Sequence, residues 1–241
     1  NPMTKRYPDF HNEKKPVTLY QYASSLLSMQ ASKYYMTEFS GEWAHEVNMT
    51  EQELSFGKKM VDTKLGSRAG MLCSPFFLVS LNDKAKENSG DVLFGTLAWT
   101  GNFRFTFEVD NHNKLRILSG INPYASEYTL KPGEVFATPE FIFTYSTEGK
   151  GKASRDFHSW ARKYQLKDGE GSRMSLLNNW EATYFDFDET KLGNLFKEAK
   201  HLGVDMFLLD DGWFGTKYPR NSDTQGLGDW TEIKEKLPNG I

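Results

Sequence analysis

Val204-Asp205-Met206-Phe207-Leu208-Leu209 runs directly into Asp210-Asp211-Gly212-Trp213-Phe214-Gly215, and this junction decides how the C-terminal third is read. A short apolar run closed by turn residues reads as a buried strand. Upstream, Asp188 is placed to cap a helix whose apolar positions are Leu192, Leu195, Phe196, Ala199 and Leu202, and Gly203 is placed to end it. Residues 174–180 read as an earlier strand. Strand, helix and strand with a short return make a βαβ unit, so a parallel sheet begins here.

The roughly 70 residues from Ser172 onward hold about two βα units, whereas a closed eight-fold β/α (TIM) barrel takes ~250. Two parallel strands cannot cover both faces of their sheet. The expectation is therefore a segment of a longer protein, truncated within its barrel.

Working back toward the N-terminus, the grammar changes at Gly149-Lys150-Gly151. Phe157, Trp160, Ala161 and Tyr164 form one apolar stripe of a helix that Ser154 is placed to cap. Residues 167–173 read as a polar linker. Before Gly149 the period is two. Val17-Thr18-Leu19-Tyr20-Gln21-Tyr22 reads as a strand, and Phe39, Gly41, Trp43 and His45 mark another. Residues 92–99 and 102–109, joined by Thr100-Gly101, read as a β-hairpin with Phe103, Phe105 and Phe107 on one face. Asp110-Asn111-His112-Asn113 is turn chemistry that continues the meander into 114–118, and Lys131-Pro132-Gly133 is a turn leading into 134–145. The fold class expected is an antiparallel β-sandwich followed by the first βα units of a β/α barrel. The boundaries are 1–148 for the later part of an N-terminal sandwich, 149–173 for a linker helix and 174–241 for the start of the barrel.

Composition narrows the function. In 241 residues, 29 Lys and Arg against 32 Asp and Glu leave a net charge of −3, which argues against nucleic acid or an anionic membrane as partner. No apolar run approaches the ~20 residues that cross a bilayer as a helix. A single cysteine, Cys73, excludes an internal disulfide and a thiolate metal cluster. His11, His45, His112, His158 and His201 are scattered without ligand spacing, so no metal is expected. Gly169-Glu170-Gly171 follows no strand and is no phosphate loop, and Leu72-Cys73-Ser74-Pro75 is no nucleophile elbow. Aromatics make up 15% of the chain, which suits β packing and also sites that bind sugar faces.

The chemistry-bearing candidates gather at one rim. In parallel β/α architectures the active site is assembled at the carboxyl ends of the strands, where Asp210 and Asp211 stand. Adjacent carboxylates flank a scissile bond poorly, so they read as acceptors for the hydroxyls of a polyol rather than as acid and nucleophile; the alternative is a solvated loop pair that caps the next turn. Trp180 ends the first strand as Asp210 ends the second, and its indole could pack against a sugar's C–H face, or seal the core. Glu181 and Asp186 could approach the same rim or only cap and pair. Trp43 reads as core packing ahead of an exposed platform.

With these residues in place, the chain resembles the bacterial α-galactosidases (melibiases) of glycoside hydrolase family 36. The specific matches are Asn178-Asn179-Trp180-Glu181-Ala182-Thr183-Tyr184-Phe185-Asp186-Phe187, then Leu209-Asp210-Asp211-Gly212-Trp213-Phe214-Gly215, then Leu227-Gly228-Asp229-Trp230. Fainter echoes include Gly41-Glu42-Trp43, Gly66-Ser67-Arg68-Ala69-Gly70, Trp99-Thr100-Gly101-Asn102-Phe103, Leu130-Lys131-Pro132-Gly133-Glu134 and Thr138-Pro139-Glu140. The resemblance implies that Asp210 and Asp211 bind galactose hydroxyls, that Trp180 lines the same pocket, and that Trp43 lies near the sugar. It implies a retaining exo-α-galactosidase acting on melibiose- and raffinose-type sugars, without cofactor or metal. The family's nucleophile and acid/base segments are absent here, so no catalytic residue is assigned in this chain, and the chain alone is expected to be inactive. A homo-oligomeric, cytoplasmic full-length protein is the family-level expectation. Two other readings stay open: a non-catalytic sugar-binding or assembly module, and a galactosyl-transferring relative such as a raffinose synthase.

Overall fold

The computed structural model describes residues 17–19, 22–64 and 73–241, so Gly66-Ser67-Arg68-Ala69-Gly70, His11, Leu72, Tyr20 and Gln21 lie outside the described residues. The chain divides into two compact units, one ending at Gly169 and the other spanning Glu170–Ile241.

The first unit is an antiparallel sandwich, as the period-two pattern predicts. One sheet orders β11 (Phe141–Ser146), β7 (Asp91–Leu97), β6 (Phe76–Leu81), β3 (Tyr34–Glu42) and β4 (His45–Leu54). The other orders β2 (Tyr22–Gln30), β9 (Lys114–Ile121), β8 (Phe103–Val109) and β5 (Gly57–Asp62). A short pair, β1 (Val17–Leu19) with β10 (Tyr128–Leu130), stands apart. The core lies between the two large sheets, where Tyr34, Met36, Phe77 and Val79 meet Phe105, Phe107, Leu115 and Ile117. Phe77 is fully buried and meets the edges of Phe105 and Phe107 at 5.0 and 4.8 Å between centroids. Burying such a ring stabilises by about 1.5–3 kcal/mol before the aromatic geometry adds its share.

Three expectations for this unit are corrected. Residues 92–99 and 102–109 are not a hairpin: β7 pairs with β6 and β11, while β8 pairs with β5 and β9. Both edges of β7 are taken and both its faces are apolar. Leu93 and Leu97 enter the sandwich core, and Val92 joins a second cluster with Leu78, Ala85 and Ala153. The segment through Thr100-Gly101 therefore crosses between sheets. Second, Ser154 does not cap the helix. Helix α1 (Gly149–Tyr164) begins five residues earlier, and the amides of Gly149, Lys150 and Gly151 donate to the carbonyls of Gly90, Lys86 and Glu87 at 2.9–3.0 Å. A neighbouring loop does the capping, so no side chain is required. Third, Trp43 is not on a strand. It and Ala44 form the two-residue turn between β3 and β4, with Glu42 paired to His45 and Ala44 at φ +59°. The β8–β9 turn is as expected: Asp110 accepts from the amides of His112 and Lys114.

In the second unit β12 (Leu176–Asn178) pairs in parallel with β13 (Met206–Leu208). Between them come the short α2 (Trp180–Thr183) and α3 (Glu189–His201). Asp188 caps α3 by accepting from the Lys191 amide at 2.8 Å, and Gly203 follows the helix at φ +79°. Phe207 packs on α3, edge-on to Phe196 at 4.4 Å. The opposite side of β13 is open: Met206 is 43% and Leu208 45% exposed, so the strand is not buried as its composition suggested. A single helix covers one face of a two-stranded sheet. Among the described residues there is no closed barrel.

Candidate functional site

The site grows from the ends of β12 and β13. Parallel pairing sets Asn178 opposite Leu208, so the chain leaves both strands on the same rim. There the two asparagines act as a bracket. The Asn178 amide group donates to Asp210 Oδ2 at 2.6 Å, while its Oδ1 accepts from the Trp180 backbone amide at 2.8 Å. Asn179, 1% exposed, accepts from the Asp210 backbone amide at 2.7 Å and donates to Thr183 Oγ1 at 2.9 Å. Both orient Asp210. A buried polar pair of this kind is tolerable because nearly every donor and acceptor has a partner.

The two carboxylates face different surroundings. Among the described residues, Asp210 Oδ1 accepts from the Asp211 amide alone, at 2.7 Å, and Oδ2 from Asn178 alone. Each oxygen keeps one lone-pair direction for an outside donor. Asp211 is gripped instead by Arg220: Nε donates to both carboxylate oxygens at 3.0 Å and Nη2 to Oδ2 at 2.6 Å, while the Gly212 amide donates to Oδ1 at 2.7 Å. This guanidinium holds the Asp211 carboxyl below the usual carboxylate range, despite the opposing effect of burial. Gly212 makes the turn possible with φ +90°, and a Cβ there would meet Phe185 Cδ1 at 2.9 Å. Lys236 fastens the same turn from behind, donating to the carbonyls of Phe185 and Gly212 at 2.7 and 2.9 Å. Burial lowers its own pKa.

A long loop closes the front. Gly215 N donates to Thr231 O and Ile233 N to Trp213 O, both at 2.9 Å, so residues 216–230 leave and return at one place. Inside it Asp229 accepts from the amides of Lys217 and Tyr218. The result is an open cavity of about 360 Å³ walled by Asp210, Asp211, Trp213, Phe214, Leu227 and Trp230. The two carboxylates and the rings of Trp213, Phe214 and Trp230 line it together, a combination that suits a polyhydroxylated ring.

Trp180 opens α2 rather than ending β12, and stands edge-on to Tyr184 and Phe185 at 5.3 and 4.9 Å. It is joined to Asp210 through Asn178 and is not among the residues walling the cavity. Glu181 accepts from the Tyr184 hydroxyl, and Asp186 pairs with Lys191, so both serve local contacts. Trp43 belongs to the first unit, at the tip of the β3–β4 hairpin, 89% exposed. Sequence reasoning missed Arg220, Lys236 and the walls Trp213 and Trp230. The aromatics lay inside quoted motifs, whereas Arg220 sits in a polar loop where nothing distinguishes it. Among the described residues no group of three or more His, Cys, Asp or Glu is placed to hold a metal ion.

Residues 7–131 match the glycosyl hydrolase family 36 N-terminal domain, and residues 135–241 match the melibiase family. Alpha-galactosidase Mel36A of Lactobacillus acidophilus is 35% identical over 243 residues, covering 100% of this chain and 32% of the relative. Alpha-galactosidase 2 of Hypocrea jecorina is 34% identical over 230 residues, with 95% and 31% covered. Among solved structures, the family 36 α-galactosidase AgaA of Geobacillus stearothermophilus is 33% identical with a TM-score of 0.82, covering 95% of this chain and 31% of that one. A variant of AgaA solved with raffinose superposes equally well, at 32% identity and 95% and 31% coverage. This chain thus spans about a third of the length of the relatives it matches.

Proposed function

The chain belongs to glycoside hydrolase family 36, and from that premise we propose that it is the sugar-reading part of a retaining exo-α-galactosidase. The observation that carries the reading is the strand-end pair Asp210 and Asp211, which lines one cavity together with Trp213, Phe214 and Trp230. Solved relatives bound to raffinose and stachyose support α-galactosides as the substrate class.

Double displacement needs two further carboxyls about 5–5.5 Å apart across the glycosidic bond, one attacking and one donating and then withdrawing a proton. Asp210 and Asp211 do neither. Asp210 accepts sugar hydroxyls with its free lone pairs, and Trp213 and Trp230 exclude water from the apolar face of the ring. A glucoside differs in the direction of its C4 hydroxyl alone, and a site that reads that group through a fixed acceptor rejects the wrong epimer strongly. The exposed hairpin carrying Trp43, Val47 and Met49 supports assembly of several copies through the sandwich unit.

The test is product analysis with the full-length protein. Galactose released from melibiose and raffinose, with retained anomeric configuration and no release of glucose from maltose, is the expected result. Galactosyl transfer to sucrose in place of hydrolysis would turn the assignment toward a transferase, and no turnover of any α-galactoside would remove it.

A further inference from the structure

A buried guanidinium in a loop calls for an explanation. Arg220 is 6% exposed. Its Nη1 donates to the carbonyls of Ser222 and Gln225 at 2.6 and 2.8 Å, fixing the fold of its own loop, and its Nε and Nη2 reach back to Asp211. The face of the group lies 5.5 Å from the centre of the Phe185 ring. Desolvating a charge this far is costly unless every contact is used. Here one side chain ties the loop that carries Leu227 and Trp230 to the carboxylate at the end of β13.

We propose that Arg220 is the positioning residue of the sugar site, fixing the Asp211 carboxylate and the 216–230 loop as one wall. The inference rests on the galactoside reading. Asp211 Oδ1 takes the Gly212 amide and Nε, and Oδ2 takes Nη2 and a shared Nε, so the guanidinium sets the direction of both oxygens. The charged groups around Asp211 are Arg220 from the loop, Lys236 behind the turn and Asp210 beside it, with the largely exposed Asp223 3.8 Å from Arg220 Nη2. The Arg220 hydrogen bonds, with the Gly212 amide and nearby Lys236, hold the Asp211 carboxyl below the usual carboxylate range, and it serves as the fixed countercharge of the clamp.

The experiment is steady-state kinetics of the full-length enzyme on an aryl α-galactoside, comparing wild type with Arg220→Ala and Arg220→Lys, each with a pH profile and a melt. Arg220 shapes the binding wall, so Arg220→Ala is expected to raise KM about tenfold or more with kcat within about threefold. The acid limb of kcat/KM is expected to move to higher pH, because Asp211 loses its guanidinium. Arg220→Lys keeps the charge without the planar fork and is expected to fall between. Millimolar guanidinium is expected to lower KM for Arg220→Ala. If both variants keep the wild-type KM and acid limb, Arg220 is structural only and the inference is lost. Should Arg220→Ala fail to fold, wild-type KM and pH profile in Arg220→Lys alone would overturn it. A wild type inactive on every α-galactoside would defeat the functional reading and this inference together, whereas an active wild type with indifferent variants defeats only the inference.

Discussion

Asp210→Asn separates sugar reading from support more cleanly than any other substitution at the rim. Both Asp210 oxygens accept an internal donor, Asn178 Nδ2 on one and the Asp211 amide on the other, and each retains one position for a sugar hydroxyl. An asparagine there has one acceptor oxygen and one NH₂. It keeps one internal contact, sets a donor against a donor in the other, and presents the ligand with one acceptor where there were two. A charge-assisted hydroxyl bond contributes roughly 1.5–3 kcal/mol net, so losing one and weakening the second removes at least about 2 kcal/mol from transition-state binding. That is a fall of about 30-fold in kcat/KM. The lost internal bond costs about 1 kcal/mol of stability, a small change beside the kinetic one. The assay is kcat/KM of the full-length protein on matched aryl α-galactosides and α-glucosides, with melting curves alongside. Galactoside activity should drop while the much poorer glucoside rate barely moves, so discrimination narrows. A galactoside kcat/KM within threefold of wild type, with unchanged melting, would remove Asp210 from the sugar site.

Asp211→Asn should behave differently, because it leaves the buried Arg220 side chain without its main countercharge and so destabilises by about 2–3 kcal/mol. Since the folded pKa of Asp211 lies below its unfolded value of about 3.9, its contribution is present above about pH 5 and lost as pH falls through the folded value. The melting gap between wild type and this variant should be full at pH 6 and shrink on acidification toward pH 3; a gap independent of pH would contradict the ion pair. Cys73 donates to the Asp62 carbonyl at 2.9 Å, and burial, with Asp62 and Glu38 nearby, pushes its thiol up to about 11. It should therefore resist alkylation at pH 8 in the native protein and react promptly in denaturant. Phe77→Ala opens the centre of the sandwich core and should destabilise by about 3–5 kcal/mol, read from denaturant midpoints, while leaving the strand-end chemistry of the second unit intact.

Local chemistry was legible in the sequence where a residue answers to its near neighbours. Phe103, Phe105 and Phe107 alternate and all three are buried, and Asp188 and Gly203 bound α3 as their capping preferences require. The pair after β13 stood out because two charges follow an apolar run. What escaped depends on partners distant in the chain. Thr100-Gly101 suits a hairpin and a crossover equally, and only the pairing of β6 and β11 with β7 excludes the hairpin. The carbonyls that cap α1 come from residues 86–90, so Ser154 gave a false start. Trp43 looked like an inward strand position because Gly41 and His45 flank it at period two, yet the chain turns between them. Arg220 is nine residues from Asp211 in a loop of ordinary polar composition, and only the folded loop makes it a clamp.

The most telling measurement is the structure of the full-length protein, in a catalytically inactive variant, with raffinose bound. The terminal galactose is expected in the cavity at the end of β13, with two of its hydroxyls about 2.5–3.0 Å from the Asp210 oxygens and Arg220 still paired to Asp211. A galactose seated away from that rim, or one contacting Asp211 with Arg220 swung aside and Asp210 unused, would contradict the assignment.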